Sequence, residues 1–486
     1  MLQEVDVPGG AVVDMTCTLF IHICEAADAA PPKPDSSRTI AMTDIMPKGL
    51  TGKLIRRVAL LLIIGYFFNY LDRTAVSVAA LQMRADLGIS AAAFGLGAGL
   101  FFVGYALCEV PSNILLHKIG ARVWMARIMI SWGIITLLTC FVQGEVSFYI
   151  MRILLGIAEA GAYPGILLIF TTWFPSKMRG KAIASLEILV LLALAGGAVG
   201  LGAVLNLDQF LGLAGWRWVF IVAGVPAVVL GLLVLFFLPE SPQRAKWLTS
   251  AERTWLVNTL AAEAQEKEKL GVSTLRSAFR NTRIWYLSVL YFMMVVGFWG
   301  ITFWLPQIVQ SEFEGISDFG ASALSAIPWL MAIVALIFVS SSSDRRNERR
   351  FHAAVPLVIA AIALIVSVAV ANPWVALLGI GVAAAGQRSA TPVFWNLPAG
   401  LVTGAGAAGA LALINSVGNL GGFFGPYILG FFADLTGSNS GGLIFFAVCF
   451  VVAAIMIVAY KQPKLSASAS GPFAPAESAP VGTMSK

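Results

Sequence analysis

Apolar residues fill this chain in unbroken blocks rather than alternating with polar ones or recurring on one helical stripe. The blocks have bilayer length, about 20 residues, and short polar stretches separate them. That pattern predicts membrane-crossing helices and excludes an outer-membrane-type barrel, whose strands would show short alternating segments. Twelve spans are expected, at approximately 57–80, 92–115, 123–142, 146–170, 182–205, 218–238, 284–308, 320–342, 353–371, 374–398, 406–432 and 441–460. The polar segment 239–283, with its run Ala264-Gln265-Glu266-Lys267-Glu268-Lys269, cannot cross and divides them six and six. The expected organisation is a disordered cytoplasmic extension over 1–54, a six-helix bundle over 55–238, a cytoplasmic loop over 239–283, a second bundle over 284–460 and a disordered cytoplasmic tail over 461–486. Translation is expected to start near Met42 or Met46.

The loops set the orientation. Lys118 and Arg122 follow span two, Lys177, Arg179 and Lys181 follow span four, and Arg345, Arg346, Arg349 and Arg350 follow span eight. The opposite connections carry Arg84, Arg217 and the acids Glu312, Glu314 and Asp318. Basic loops stay cytoplasmic, so both termini are expected there, in a plasma membrane and a bacterial inner membrane by expectation. The basic hairpins at 112–122 and 341–350 occupy equivalent places in the two halves, the weak internal repetition of transporters.

Composition agrees. The chain is 58% hydrophobic and 12% charged, half the charge of a soluble domain. Its net charge of +6 reflects basic loops and needs no nucleic-acid partner. Five cysteines and three histidines lie in unrelated places, so no metal or cofactor is expected, and without a nucleophile or metal constellation no enzyme activity.

Against this background the charges inside spans stand out. Arg152 and Glu159 lie two turns apart on one face of span four, with Gly156 between them. Ionisable groups at membrane depth are costly and functional by default. A carboxylate ligand occupying the arginine would release its hold on the glutamate, coupling anion binding to protonation. The alternative is an ion pair locking span four to a neighbour. Asp72 and Arg73 form a second pair in span one, with Tyr66 and Asn69 on the arginine's face. Arg388, beside Gln387 in span ten, is a second positive anchor suited to a dicarboxylate, or the partner of an acid such as Glu187. Trp395 closes span ten, and Asn415 and Asn419 follow at helical spacing in span eleven, as binding groups or packing contacts. Trp299, Phe303 and Trp304 line the cavity or pack. Gly418, Gly421, Gly422 and Gly425 read as close helix packing.

The stretches YLDR (70–73), EVPSN (109–113), RILLGIAEAGAYPG (152–165), WFP (173–175), GWRW (215–218), FWLPQI (303–308), SDR (343–345), FWNLP (394–398) and INSVGNLGGFFGP (414–426) together resemble the anion:cation symporter branch of the major facilitator superfamily, over about residues 55–460. Within it the chain resembles tartrate, hydroxyphenylacetate and sugar-acid permeases. The resemblance implies an all-α integral membrane fold, two six-helix pseudo-repeat halves acting as a monomer. It also implies proton-coupled import of a small organic anion by alternating access. It places substrate binding on Arg73 and Arg152, proton coupling on Asp72 and Glu159, and gating on Arg122, Asp344 and Arg345. His117 and Lys118 stand where the superfamily carries an acid before the hairpin glycine, so the latch of the N-terminal half is expected to be weaker or to use another acid, such as Glu109. Alternatives are an anion exchanger, a drug-type antiporter or a membrane sensor.

Overall fold

The computed structural model describes residues 46–47, 49–269, 280–398 and 405–460. Among them the regular structure is helical throughout. The N-terminal half comprises α1 (Leu50–Leu87), α2 (Ala91–Ile119), α3 (Ala121–Thr139), α4 (Glu145–Glu159), α5 (Ala162–Trp173), α6 (Ser176–Val204) and α7 (Gly215–Phe237). The central segment holds α8 (Ser250–Lys269). The C-terminal half comprises α9 (Thr282–Glu312), α10 (Asp318–Leu324), α11 (Ala326–Arg346), α12 (Arg350–Ala369), α13 (Pro373–Phe394), α14 (Ala405–Asn419), α15 (Gly421–Thr436) and α16 (Ser440–Ala459).

Ten helical segments among the described residues are long and apolar enough to cross a membrane. The expected spans 374–398 and 406–432 fall on α13 and on α14–α15, which are not among the ten but pack inside the same bundle, against α11 and α12 and against α9 and α2 respectively. Large apolar side chains such as Phe236, Phe338 and Val146 stay exposed on the outside, as a lipid-facing surface requires. The first helix begins at Leu50, with Leu50 and Leu54 fully buried, so residues 50–54 belong to the bundle. Of the two terminal extensions, 1–45 and 461–486 lie outside the described residues.

Span four is broken. The α4 helix stops at Glu159, Ala160 turns extended, and Gly161 takes φ +90° before α5 begins. A side chain at Gly161 would be strained there, and its Cβ would lie 2.4 Å from Ser112 Oγ. The Ser112 hydroxyl donates to the Ala160 carbonyl at 2.6 Å, filling a bond the break vacates. Pro164 falls in the first turn of α5, where its missing N–H costs nothing.

Gly156 serves packing. A Cβ on it would lie 2.0 Å from the Phe101 carbonyl oxygen of α2, and one on Gly104 would lie 2.4 Å from the Ile153 carbonyl. The glycine therefore admits the backbone of α2, the small-residue crossing that membrane helices use. Gly156→Ala is expected to destabilise by about 1–3 kcal/mol through overpacking. Gly196→Ala, where nothing lies within 4 Å, is expected to leave stability level or raise it by up to about 1 kcal/mol. Thermal unfolding of the detergent-purified protein measures both; equal midpoints would refute the packing role.

Two ends of the bundle are distinguished by their contacts. At one, Gln82 donates to Asp318 (2.8 Å), Arg84 to Gln307 (2.9 Å) and Ser322 to the Ala198 carbonyl (2.6 Å), each joining the two halves. The Ser77 hydroxyl lies 3.0 Å from both the Thr302 and Phe303 carbonyls. At the other end the central segment docks on the N-terminal half: from α8, Glu252 pairs with Lys53 (2.6 Å) and Glu263 with Arg179 (3.0 Å), and just before it Trp247 stacks on Trp173. The Lys53 ammonium, with the Thr249 N–H, holds the Glu252 carboxyl below its ordinary range.

Candidate functional site

A cavity lies between the halves, walled by α1, α2, α4–α6, α9, α13 and α14. Each lining side chain reaches it by helical spacing. On α1, Tyr66, Asn69, Tyr70 and Arg73 are three, four and seven apart and share a face. From α13 come Gln387, Arg388 and Thr391, with Trp395 just beyond, and from α14 come Asn415 and Asn419.

Of the candidates Asp72, Arg73, Arg152 and Glu159, Arg73 and Glu159 meet across α1 and α4, in a pairing the spacing alone did not reveal. Glu159 pairs with Arg73, whose Nε also donates to Glu159 Oε1 at 3.1 Å. Both line the cavity. The second oxygen of Glu159 has no hydrogen-bond partner among the described residues. The Arg73 guanidinium lies about 5 Å from three rings: Tyr70 (5.0 Å), Phe101 (4.9 Å) and Trp299 (5.0 Å). Cation–π attraction fixes the head without consuming its N–H donors.

Arg152 and Asp72 do not line the cavity. Arg152 is 1% exposed, with Phe101 and Phe303 against its guanidinium at 5.0 and 5.7 Å. Its one hydrogen bond runs to the Ala98 carbonyl at 3.4 Å, and Nε and Nη1 are unpartnered. Asp72 accepts from Thr136 at 2.7 Å, and its other oxygen is free of hydrogen bonds. The Phe101 ring touches both guanidiniums, Arg73 on the cavity side and Arg152 behind. Arg152, expected to bind substrate, is therefore set back behind Phe101 and is not a cavity-lining group.

Arg388 reaches across the cavity to pair with Glu187 of α6. Its guanidinium also stands 4.8 Å from the Phe298 ring. Glu187 escaped the sequence reading as a site residue; its signal was an isolated acid inside an apolar span. The tyrosines went unnoticed too: Tyr70, Tyr105, Tyr163 and Tyr291 all line the cavity, Tyr70 stacking on Trp299 and Tyr291 packing against Trp395 at 4.9 Å. Of the three aromatic candidates on α9, Trp299 lines the cavity, Phe303 faces Arg152, and Trp304 donates to the Pro426 carbonyl. The α14–α15 glycines admit neighbours: Tyr291 at Gly418, α9 backbone at Gly421 and Gly425, and Phe102 at Gly422.

Among the expected gating residues, Asp344 pairs with Arg349 and not with Arg345, which is exposed. Arg122 lies in the first turn of α3, its Nε without a partner. One acid beside this hairpin is Glu240, beyond the end of α7; a Cβ at Gly120 would lie 3.2 Å from its carboxylate. Glu240 also pairs with Arg244.

Comparison with known proteins fits this architecture. The chain is 41% identical over 84% of its length, and 94% of the relative's, to an Agrobacterium vitis protein described as "Putative tartrate transporter". It is 40% identical over 81% of its length, and 91% of the relative's, to the quinolone resistance transporter of Acinetobacter baumannii. Its fold matches the xylose transporter XylE from E. coli, solved in a partially occluded inward-open conformation, with TM-score 0.67 at 16% identity over 84% of this chain and 97% of that one. Residues 62–386 match the model of the Major Facilitator Superfamily, and with two helical halves enclosing a central polar cavity the chain belongs to that superfamily of membrane transporters.

Proposed function

We propose that the protein is a proton-coupled symporter importing a small organic anion by alternating access. The observation that carries the reading is the Arg73–Glu159 pair on the cavity wall. A ligand carboxylate and Glu159 compete for one guanidinium. If the ligand wins, an ionised Glu159 would be left buried without a counter-charge, at a cost of several kcal/mol. Taking up a proton removes that cost. Anion and proton therefore favour each other's binding, and by linkage the favour is reciprocal. Asp72 is the second proton-carrying candidate, held beside Arg152 behind Phe101. Tyr66, Asn69, Trp395, Asn415 and Asn419 present hydroxyl, amide and indole groups for the rest of the ligand, while the aromatic walls exclude water.

The relative named for tartrate supports an organic acid as cargo. Basic loops gather at the end where α8 docks, so that end is cytoplasmic and the inter-half hydrogen bonds lie on the outside. In this orientation the protein is closed on its outer side. A drug-type antiporter is the second reading, favoured by the relative named for quinolone resistance. It requires protons to move against the cargo.

The test is proton movement in proteoliposomes holding the purified protein, on adding tartrate, a hexonate, phthalate or 4-hydroxyphenylacetate singly. Symport predicts that one acid drives protons in with it. Acid entry without protons would overturn coupling in favour of uniport or exchange. Protons leaving as cargo enters would establish the antiporter.

A further inference from the structure

We infer that the transported anion is a short dicarboxylate, one carboxylate on Arg73 and the other on Arg388, so that the ligand itself bridges the two halves. The inference rests on the carboxylate-symport reading above and adds the second charge.

Two guanidiniums share the cavity, one from each half: Arg73 on α1 and Arg388 on α13. They stand on neighbouring rings of α9. Arg73 lies 5.0 Å from Trp299 and Arg388 lies 4.8 Å from Phe298, and those two rings are 4.9 Å apart. Both heads thus border one patch of cavity wall. Each is paired with a glutamate of the N-terminal half, Arg73 with Glu159 and Arg388 with Glu187. The site is built twice, with the same chemistry each time.

The second pair has the marks of an exchangeable contact. Arg388 is 7% exposed and its Nε has no partner among the described residues, nor has the Gln387 amide oxygen beside it. Glu187 is the more accessible member, its side chain 31% exposed against 8% for the arginine's. A ligand carboxylate can therefore displace Glu187 toward the open part of the cavity while Arg388 stays neutralised and in place. A guanidinium left without any acid there would be costly, so Arg388 needs either Glu187 or the ligand. The fork geometry of arginine suits a planar carboxylate in both cases. Asn69, 2% exposed with its side-chain nitrogen unpartnered, lines the same space and supplies a donor for hydroxyl oxygens between the two carboxylates.

The pair also links α6 to α13 across the halves. A diacid would take over that link, holding Arg73 and Arg388 through its own skeleton. A monoacid would leave Glu187 on Arg388 and gain only the Arg73 end.

The experiment compares matched acids differing at one terminus: tartrate with threonate, succinate with 4-hydroxybutyrate, galactarate with galactonate. Binding to the full-length purified protein is read by quenching of tryptophan fluorescence, since Trp299 and Trp395 line the cavity. At least one pair is expected to show a tenfold or greater preference for the diacid. The double variant Glu187→Gln/Arg388→Gln, which removes both charges together, should bring that ratio close to one. Arg388→Lys, keeping the charge and losing the fork, should give an intermediate ratio, and serves if the double variant fails to fold. Equal affinity within every pair, or a preference that survives the variants, overturns the inference. If monoacids bind equally and carry protons in, the symport reading stands and the dicarboxylate falls. If diacids are preferred but no protons follow, the second anchor stands and symport falls.

Discussion

Glu159→Gln is expected to abolish acid-driven proton entry while exchange of labelled acid across the membrane continues. Glutamine fills the same volume and can still hydrogen-bond Arg73, but it cannot take up and release a proton. The wild-type pair has both partners buried, Glu159 fully and Arg73 at 8% exposure, so the glutamate's charge is felt strongly by the arginine. Removing that charge frees Arg73 for the ligand. A hydrogen bond between two charged groups is about twice as strong as one to a neutral amide, so exchanging one for the other, a change of about 1 kcal/mol, should tighten acid binding by roughly fivefold. Two signatures follow: proton entry falls to background, and apparent affinity rises. A structural ion pair predicts neither, since its loss would weaken the protein without strengthening ligand binding. The measurements are proton uptake and counterflow in the same proteoliposomes. Unchanged proton entry would move the coupling to Asp72, whose free oxygen makes it the next carrier. Arg73→Lys should show the opposite sign, weaker binding, because the ammonium keeps the charge but loses the two-pronged grip.

The helical membrane architecture was legible because bilayer-length apolar blocks have no soluble counterpart, and the charge cost inside them marked Asp72, Arg73, Arg152, Glu159 and Arg388. Spacing along one helix did not reveal who pairs with whom. Arg152 and Glu159 share a face of α4, yet Glu159 turns to Arg73 because α4 ends at the Gly161 break and carries the glutamate to the cavity. Arg152, two turns earlier, stays behind Phe101. The sequence did contain that break, in Gly161 and Pro164, but inside an apolar block it read as continuous helix. Gly156, noted only as lying between the two charges, makes room for the backbone of α2. Glu187 was named only as a partner for Arg388, since a single acid in a span carries no spacing signal; the cross-half contact that gives it meaning belongs to tertiary structure. Glu240, beside the hairpin, lies more than a hundred residues from the glycine it faces, and local motif logic could not reach it.

In the proposed orientation, closure of the outer side is expected to turn on a carboxylate at the far end of α15. Asp434 accepts from the N–H groups of Ala91 (3.0 Å) and Ala92 (2.7 Å), at the start of α2. The donors belong to one half and the acid to the other. The first turn of a helix offers N–H groups with no partner of their own and the positive end of the macrodipole, so a carboxylate there is a strong but separable contact. Beneath it the two helices touch backbone to backbone: a Cβ at Gly430 would lie 2.3 Å from the Ala91 carbonyl, and one at Gly95 would lie 2.3 Å from the Pro426 carbonyl. Those contacts are packing and carry no charge, whereas Asp434 adds a charged contact between the halves, which the proposed alternating access requires to break when the outer side opens. Capping contacts are worth about 0.5–2 kcal/mol, so Asp434→Ala should shift the balance toward the outward-open form by roughly 3- to 30-fold. Asp434→Asn, which keeps an acceptor and loses the charge, should fall between. Ser77, 1% exposed at the junction of α1 with α9, provides the reporter. As Ser77→Cys in a background cleared of the native cysteines, it should be alkylated by an impermeant reagent faster by that factor when Asp434 is replaced. Equal rates would mean that packing alone holds the gate. A faster rate fully reversed by a saturating internal ligand would tie the latch to the occupied cavity, because a ligand gripping both arginines stabilises the same closed approach of the halves.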